Sequence, residues 1–302
     1  MTALRARAPG KVNLCLFVGA PRADGLHPLV SVVQPVSLAD ELYLEPAPPG
    51  TPGDEVRCPG VEGVNLAAQA LAAYRDASGW DAPPQRLTIA KRVPVAAGMG
   101  GGSGDAAAAL RLAAHAAGRE GDPLLRELAP RLGADVPAQI EPSRALVTGV
   151  GEEIEPLPDP PTFGVLVLPG QNGLSTPAVY AQADRMRIGR SHEDLLARRS
   201  AVRAAATALP VWFMHNDLEA AALALAPTIG PALADARSAG ADHAMVSGSG
   251  PTVVGLFKGS DGPARARAAA LALVASGAHP RAVAAEPVGP RFARPHLDRP
   301  GG

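Results

Sequence analysis

The chain has 302 residues and carries 28 basic and 29 acidic side chains, a formal net charge of −1. It contains no block of like charge, which excludes the basic surface of a nucleic-acid-binding protein, and no run of 18 apolar residues to span a membrane. Hydrophobic residues make up 47% and aromatic residues 3%, so the core must be built from Ala, Leu and Val. The two cysteines, Cys15 and Cys58, form no CxxC motif and indicate a reducing, cytoplasmic location.

Hydrophobic periodicity predicts both helices and strands along the chain. In the first half, strands are expected at residues 12–18, 31–36, 41–45, 87–90 and 145–150. Helices are expected at residues 65–77, 105–117 and 124–132. A turn is expected at residues 38–40, and the Pro- and Gly-rich stretch 46–63 is expected to be a loop.

A stiff connector follows, since four of the seven residues from Glu155 to Pro161 are proline. It predicts a boundary between one domain of residues 1–155 and a second of residues 162–293, with a disordered tail at residues 294–302. In the second domain, strands are expected at residues 164–168, 244–247, 252–257 and 282–285. Helices are expected at residues 177–186, 193–208, 216–226 and 263–275. The predicted fold class is α+β.

The stretch VPVAAGMGGGSGDAAAAL, residues 93–110, contains five glycines directly before a run of alanines. It follows a predicted strand and leads into a predicted helix, with Ser103 expected as the helix N-cap. A helix start offers unpaired N–H groups and a partial positive charge, and glycine lets a ligand approach the backbone closely. The stretch therefore predicts an anion cradle, most often one for phosphate, although glycine content alone is also typical of a plain turn.

Two common nucleotide-binding patterns do not fit this chain. The P-loop requires GxxxxGK[ST], but Lys91 and Lys258 have no preceding glycine. Gly10 does precede Lys11, but Arg5 stands where the motif requires its first glycine, and Val12 stands where it requires Ser or Thr. The Rossmann pattern GxGxxG fails because no Gly-x-Gly pair of the stretch has its third glycine, and the protein-kinase motifs HRD and DFG are absent. The loop therefore belongs to another nucleotide scheme.

The segment PVAAGMGGGSGDAA, residues 94–107, resembles the phosphate-binding motif of the GHMP kinases. Further segments resemble one branch of that superfamily and follow the order of that branch along nearly the whole chain. They are APGKVNL at 8–14, RADGLH at 22–27, NLA at 65–67, LGADVP at 132–137, TGVGE at 148–152, NDLE at 216–219 and SGSGPT at 247–252. The glycine motif is typical of the whole superfamily, whereas the APGKVNL, RADGLH and LGADVP segments together are specific to the branch.

The resemblance implies a two-domain GHMP kinase fold with the active site between the domains. The N-terminal domain would be like that of ribosomal protein S5, and the C-terminal domain would be ferredoxin-like. The implied activity is that of an ATP-dependent, Mg²⁺-assisted kinase for the 2-hydroxyl of a cytidine-diphosphate-linked methylerythritol, on the non-mevalonate route to isoprenoid precursors. The expected partner is this small molecule, not a nucleic acid or a membrane, and the expected state is a monomer or homodimer.

Under this resemblance Asp135 is the candidate catalytic base and Lys11 its candidate partner. On spacing alone, Asp135 is typical of a turn or helix cap, and Lys11 of a solvated lysine at the start of a strand. A weakly basic carboxylate suffices for phosphoryl transfer, because in a loose transition state the hydroxyl proton moves late. A neighbouring ammonium would hold the carboxylate ionised and offset charge on the attacking oxygen.

The resemblance also assigns binding residues. For the nucleotide they are Asn65 and Lys91, at the adenine and ribose, and Pro94, Val95, Ala96, Ala97, Gly98, Met99, Gly100, Gly101, Gly102, Ser103 and Gly104, with Ser103 also a candidate Mg²⁺ ligand. For the acceptor substrate they are Asn13, Leu26, His27, Met214, Gly248 and Ser249. Asp105 would repel an anion at a helix start, so it is expected to point away or to serve Mg²⁺.

Three positions depart from the branch, one of them Gly104, where a Ser or Ala usually follows Ser103. Leu26 stands where a Tyr is usual, and Met214 stands before the NDLE segment where an aromatic residue is often found. Each lost stacking ring weakens the binding of a base by about 1–3 kcal/mol. Phe213 is a candidate replacement for one of them.

Two alternatives remain open. One is a catalytically silent protein of the same fold that binds a nucleotide or sugar as a regulator. The presence of both Lys11 and Asp135 disfavours it, because binding alone needs neither. The other is a GHMP kinase for a different small alcohol, which the RADGLH and LGADVP segments disfavour and Leu26 permits.

Overall fold

The structure, a computed structural model, describes residues 3–208, 210 and 213–298. Its strands are β1 (Leu4–Val18), β2 (Leu29–Pro46), β3 (Glu55–Arg57), β4 (Gln85–Ala90), β5 (Ala145–Thr148), β6 (Glu153–Pro156), β7 (Phe163–Leu168), β8 (His243–Val246), β9 (Val253–Lys258), β10 (Val283–Ala285) and β11 (His296–Leu297). Its α-helices are α1 (Leu66–Ser78), α2 (Gly101–Ala116), α3 (Leu124–Leu132), α4 (Val136–Ile140), α5 (Thr176–Arg185), α6 (His192–Ala204), α7 (Glu219–Leu225), α8 (Ile229–Ser238) and α9 (Gly262–Ala275). The mixture confirms the α+β class. None of the helices in this described part has the length and apolar character needed to cross a bilayer.

The long antiparallel pair of β1 and β2 is the centre of the first sheet. The strand order is β11-β1-β2-β4-β3, and β5 and β6 extend the sheet from β2. Helices α1 and α2 share one core with this sheet, in which the α2 alanines Ala106–Ala109 are fully buried. Because these side chains are small, α2 lies close to the sheet: a Cβ on Gly104 would be 3.2 Å from the carbonyl oxygen of Pro9. The packing thus brings the start of α2 against β1.

The turn expected at residues 38–40 is wrong, because β2 continues through it. Ala39 and Asp40 pair there with residues of β1. The Asp40 carboxylate is fully buried and accepts hydrogen bonds from the backbone N–H groups of Arg92 and Val93, at 2.5 and 2.8 Å. Cross-strand pairing and this buried network outweigh the local turn preference.

The second sheet is antiparallel, with the order β10-β7-β9-β8. Helices α5 to α8 lie between β7 and β8 in the chain, and α9 lies between β9 and β10. This is the order of a ferredoxin-like domain. Helices α8 and α9 pack against the sheet through small and branched side chains such as Leu233, Ala236 and Ala266. Helix α8, like β3, β6 and α4, has no counterpart among the elements predicted from the sequence, since short elements are stabilised by their partners more than by their own periodicity.

After β10 the chain returns to the first sheet. The Arg111 side chain of α2 donates a hydrogen bond to the carbonyl oxygen of Ala293 (3.2 Å), and β11 pairs with the start of β1. The expectation of a disordered tail is therefore wrong for residues 294–298, while residues 299–302 lie outside the described residues. The predicted second domain, residues 162–293, likewise ends in a stretch that packs on the first sheet.

Candidate active site

A single large cleft, with a volume of 1110 Å³, brings together most of the residues singled out in the sequence. It is lined by all of the predicted site residues except Met99, Gly104 and Met214. Residues of both sheets' elements contribute to it, including Lys11 of β1 and Gly248 beyond β8. The cleft is therefore the candidate active site.

The glycine loop enters α2 without a side-chain cap. The helix begins at Gly101 rather than at the predicted residue 105, and its N-cap is Gly100, at φ +66°. Ser103 lies inside the first turn, so its prediction as N-cap is wrong. Glycine occupies the cap because a left-handed φ is strained for other residues. With no side chain over them, the first N–H groups of α2 remain available to an anion in the cleft.

Met99 and Gly104 support this loop instead of lining the cleft. Met99 is 1% exposed in the core, and its carbonyl oxygen accepts a hydrogen bond from the backbone N–H of Lys11 (2.8 Å). Gly104 contacts the backbone of β1. Both residues pack the loop and helix against β1, and their assignment as ligand contacts stays a prediction.

Lys11 and Asp135 face each other, with Nζ 3.6 Å from Oδ2. Lys11 is 7% exposed, so its interpretation as a solvated lysine is wrong; its Nζ donates to Asn13 Oδ1 (2.9 Å), and Asn13 Nδ2 donates to Ser31 Oγ (2.7 Å). The Asp135 side chain is 51% exposed and makes no capping hydrogen bond to α4. A Cβ on Gly100 would lie 3.1 Å from Lys11 and 3.6 Å from Asp135. A fixed ammonium and an accessible carboxylate thus lie beside the anion cradle.

Lys91 lies at the start of α2 between two carboxylates. Its Nζ is 2.5 Å from Asp40 Oδ2 and 2.7 Å from Asp105 Oδ2. Burial is the main cause that raises the pKa of Asp105 to about 7; Lys91 opposes the rise and the charge of Asp40 adds to it. The other oxygen of Asp105, Oδ1, is buried without a hydrogen-bond partner. Asp105 therefore points toward Lys91, an arrangement that the sequence did not predict.

Asn65 has a structural role at the edge of the cleft. It is the N-cap of α1, and its Oδ1 accepts hydrogen bonds from the N–H groups of Ala67 (2.9 Å) and Ala68 (3.4 Å). This leaves the Nδ2 hydrogens for a ligand.

A group of aromatic and charged side chains around His27 also lines the cleft. His27 Nε2 is 2.8 Å from Asp184 Oδ1, and the His27 and Tyr180 ring centroids are 4.9 Å apart. His27 precedes β2, whereas Tyr180 and Asp184 lie on α5, so the contact joins the two parts of the fold. Burial raises the pKa of Tyr180 to about 12, so its phenol is neutral at physiological pH. Leu26, next to His27 in the chain, also lines the cleft and is 51% exposed.

Tyr180 and Asp184 are missing from the residues predicted for this site. The signal available in the sequence was the rarity of tyrosine, of which the chain has three. Helical spacing places Tyr180 on α5, but it does not say that this helix borders the cleft.

Met214, predicted as a substrate contact, is not among the residues that line the cleft. Met214 is 3% exposed and Phe213 is fully buried, and both belong to the core between the sheets, so Phe213 is not a replacement stacking surface. The following residues run along β1: Leu16 N–H donates to the His215 carbonyl oxygen (2.7 Å), and Asp217 N–H donates to the Leu16 carbonyl oxygen (2.9 Å). This pairing turns residues 213 and 214 inward.

Two family models match the chain: the GHMP kinases N terminal domain over residues 65–141 and the GHMP kinases C terminal over residues 200–277. A 4-diphosphocytidyl-2-C-methyl-D-erythritol kinase of Nocardioides sp. (strain ATCC BAA-499 / JS614) is 42% identical over 293 residues, covering 92% of this chain and 95% of its own. One of Streptomyces avermitilis is 41% identical over 290 residues, covering 90% of this chain and 92% of its own. The chain belongs to the 4-diphosphocytidyl-2-C-methyl-D-erythritol kinase family.

Solved structures of GHMP kinases have the same fold. A crystal structure of 4-(cytidine 5′-diphospho)-2C-methyl-D-erythritol kinase superposes with a TM-score of 0.74 at 34% identity, covering 93% of this chain and 98% of its own. The L. major mevalonate kinase in complex with R-mevalonate superposes with a TM-score of 0.67 at 15% identity, which shows the fold alone. The matches confirm the predicted two-domain GHMP kinase fold, with its S5-like and ferredoxin-like domains.

Proposed function

We propose that this protein transfers the γ-phosphoryl group of ATP to the 2-hydroxyl of 4-diphosphocytidyl-2-C-methyl-D-erythritol, in non-mevalonate isoprenoid precursor biosynthesis. The observation that carries the proposal is the position of Lys11 and Asp135, 3.6 Å apart and beside the uncapped start of α2. Relatives of that name at 42% and 41% identity support the choice of substrate.

Asp135 is the proposed base. Its carboxylate is half exposed in the cleft, so an acceptor hydroxyl can reach it and pass on its proton as the new bond to phosphorus forms. Lys11 Nζ offsets the negative charge that develops on the attacking oxygen. Asn13 and Ser31 fix this ammonium through consecutive hydrogen bonds, so it is in place before the substrate arrives.

The glycine loop and the first turn of α2 are proposed to hold the polyphosphate of ATP, by backbone N–H groups and the positive end of the helix. Because the Lys91 ammonium already pairs with Asp40 and Asp105, it attracts a phosphate less strongly than an unpaired lysine would. Lys91 is instead proposed to bind the adenine and ribose, together with the Nδ2 hydrogens of Asn65. Lys91 lies beside Gly101, and both Lys91 and Asn65 line the cleft.

Mg²⁺ is proposed to arrive with the nucleotide. Among residues 3–208, 210 and 213–298, no three His, Cys, Asp or Glu side chains are grouped to hold a metal. The ion needs few protein ligands, because it binds substrate phosphates and retains water. The Ser103 hydroxyl in the first turn of α2 fits as one such ligand, whereas Asp105 is bonded to Lys91. When bound, Mg²⁺ would neutralise charge on the phosphoryl oxygens.

The group formed by His27, Tyr180 and Asp184 is proposed to bind cytosine. With Asp184 accepting from Nε2–H, a neutral His27 presents Nδ1 as an acceptor. Cytosine carries an amino donor at the position where uracil carries an acceptor oxygen, so this tautomer favours cytosine. The Tyr180 ring provides a stacking surface that Leu26 lacks.

Asp184→Ala is expected to raise KM for the cytidine substrate about tenfold and to reduce discrimination against the uridine analogue, because His27 is then free to adopt either tautomer. The kcat at saturation and KM for ATP should change little. Steady-state kinetics with both acceptors measure this. Asp235→Ala is the matched control, since it removes a similar bond to His279 (2.9 Å) outside the cleft. Unchanged KM and discrimination in Asp184→Ala would show that the contact does not position His27.

An acceptor panel separates the proposed kinase from the two alternatives. ATP consumption is measured with the cytidine-diphosphate compound, its uridine analogue, homoserine and mevalonate. We expect turnover with the first compound at least about 10²-fold above the others, in line with a site built around polar contacts to one base. Turnover of another alcohol alone would support a different GHMP kinase. Nucleotide binding without turnover of any acceptor would support the silent regulator.

We also propose a cytoplasmic location and a monomeric or homodimeric state. The location is supported by Cys15 and Cys58, which are both free thiols.

A further inference from the structure

The turn Ser247–Gly250, between β8 and β9, packs directly on the glycine loop with no side chain between them. A Cβ on Gly98 would lie 2.1 Å from the carbonyl oxygen of Ser247, and a Cβ on Gly248 would lie 2.9 Å from the carbonyl oxygen of Gly98. The Ser247 hydroxyl also donates to the Gly98 carbonyl oxygen (3.3 Å). The position of the turn therefore determines the shape that the glycine loop can adopt.

Asn216 holds this turn from behind. Its Nδ2 donates to the carbonyl oxygens of Val246 and Gly248, both at 2.8 Å. The side chain is 6% exposed, and its hydrogen bonds go to Val246, Gly248 and Leu218 and not to the glycine loop. One amide hydrogen thus binds the last residue of β8 and the other binds the turn. The side chain therefore holds the path of the backbone as it leaves β8.

The backbone of Asn216 is itself anchored to β1. It forms a parallel bridge with Leu16, and the neighbouring Asp217 carboxylate accepts a hydrogen bond from the Val18 N–H (2.9 Å). The same strand holds the other side of the glycine loop, because the Lys11 N–H donates to the Met99 carbonyl oxygen. β1 therefore holds the loop twice, once directly and once through Asn216 and the turn.

We propose that Asn216 is a positioning residue for nucleotide binding: it acts through the Ser247–Gly250 turn to hold the glycine loop in its anion-binding shape. The inference rests on the proposed function insofar as the anion is the polyphosphate of ATP. It adds a residue that is outside the cleft and that touches neither substrate.

Asn216 has a second contact that a test must separate from this one. Its Oδ1 accepts a hydrogen bond from the Leu218 N–H (2.9 Å), next to the start of α7. Asn216→Ala removes both functions. Asn216→Asp has nearly the same size and keeps the acceptor for Leu218, but it places oxygen against the two carbonyl oxygens of the turn. The two roles therefore predict opposite outcomes for the Asp variant.

The experiment measures ATP binding by calorimetry and native-state hydrogen exchange of residues 94–100, in wild type, Asn216→Asp, Asn216→Ala and Ser191→Ala. The last variant removes a helix cap elsewhere, on α6, and controls for a general loss of stability. We expect Asn216→Asp and Asn216→Ala each to weaken ATP binding about tenfold and to speed exchange of the loop, with Ser191→Ala like wild type. Neither measurement needs the acceptor, so failure of the proposed substrate would leave this test intact.

Wild-type ATP affinity and loop exchange in Asn216→Asp would overturn the proposal, because the contact to Leu218 would then account for any effect in Asn216→Ala. If the Asn216 variants do not fold, Ser247→Ala decides the question, since it deletes only the hydroxyl that reaches Gly98. Faster loop exchange in that variant supports the role of the turn, and unchanged exchange opposes it.

Discussion

Asp135→Asn should lower kcat by about 10²-fold or more and leave the affinity for ATP nearly unchanged. The reason is that an amide has no basicity for the hydroxyl proton, while the fold loses little: the Asp135 side chain is 51% exposed and does not cap α4. Steady-state kinetics give kcat, and calorimetry gives the ATP affinity.

The control for this variant is Glu141→Gln, which removes the same charge at the other end of α4. Glu141 is exposed and pairs with Arg126, away from the cleft residues. Its activity should match that of wild type. A near-normal rate in Asp135→Asn would remove Asp135 as the base and would leave catalysis to electrostatic stabilisation, to which Lys11 and the helix start contribute.

Gly98→Ala is expected to reduce kcat/KM for ATP by about 10²-fold or more. Its Cβ would lie 2.1 Å from the Ser247 carbonyl oxygen, whereas real Cβ contacts are rarely closer than 3.0 Å. Either the loop or the turn must therefore move by about 1 Å, a displacement large enough to cost about 10²-fold when it misplaces bound phosphates. The φ of +75° adds a backbone penalty of about 1–2 kcal/mol for alanine.

Gly79→Ala separates the steric effect from the backbone effect. Gly79 ends α1 at φ +63°, but no atom lies within 4 Å of the Cβ that alanine would add. It should lower the melting temperature slightly and leave the kinetics unchanged. Equal losses of activity in the two variants would show that backbone strain, and not the contact with Ser247, is the cause.

The sequence contained enough to predict the cleft, because its chemistry is concentrated in short contiguous segments. The glycine stretch and the segments around Lys11 and Asp135 each have a local pattern, and all of them line one cavity. Their relative positions follow from the fold: β1 carries Lys11, α2 starts against it, and α4 begins directly after Asp135.

What the sequence did not predict depends on contacts between distant segments. Asp40 was expected in a turn, yet its burial beneath Lys91 requires β2 to resume its pairing with β1 at Ala39, after the register shift between Pro9 and Lys11. Met214 and Phe213 turn inward because the following residues pair with β1, almost 200 positions earlier in the chain. Gly100 and not Ser103 is the N-cap of α2, because the backbone at residue 100 is left-handed. Hydrophobic periodicity gives no sign of such a conformation.

The pairing of β11 with the start of β1 has a consequence for the order in which the protein can form. Leu4 finds its partner Leu297 only after the whole second sheet has been synthesised. During translation the outer edge of the first sheet is therefore open to any extended peptide nearby, a state that favours strand exchange between nascent copies. Translation must therefore complete the second sheet before β11 can pair with β1 and cover the edge of the first sheet.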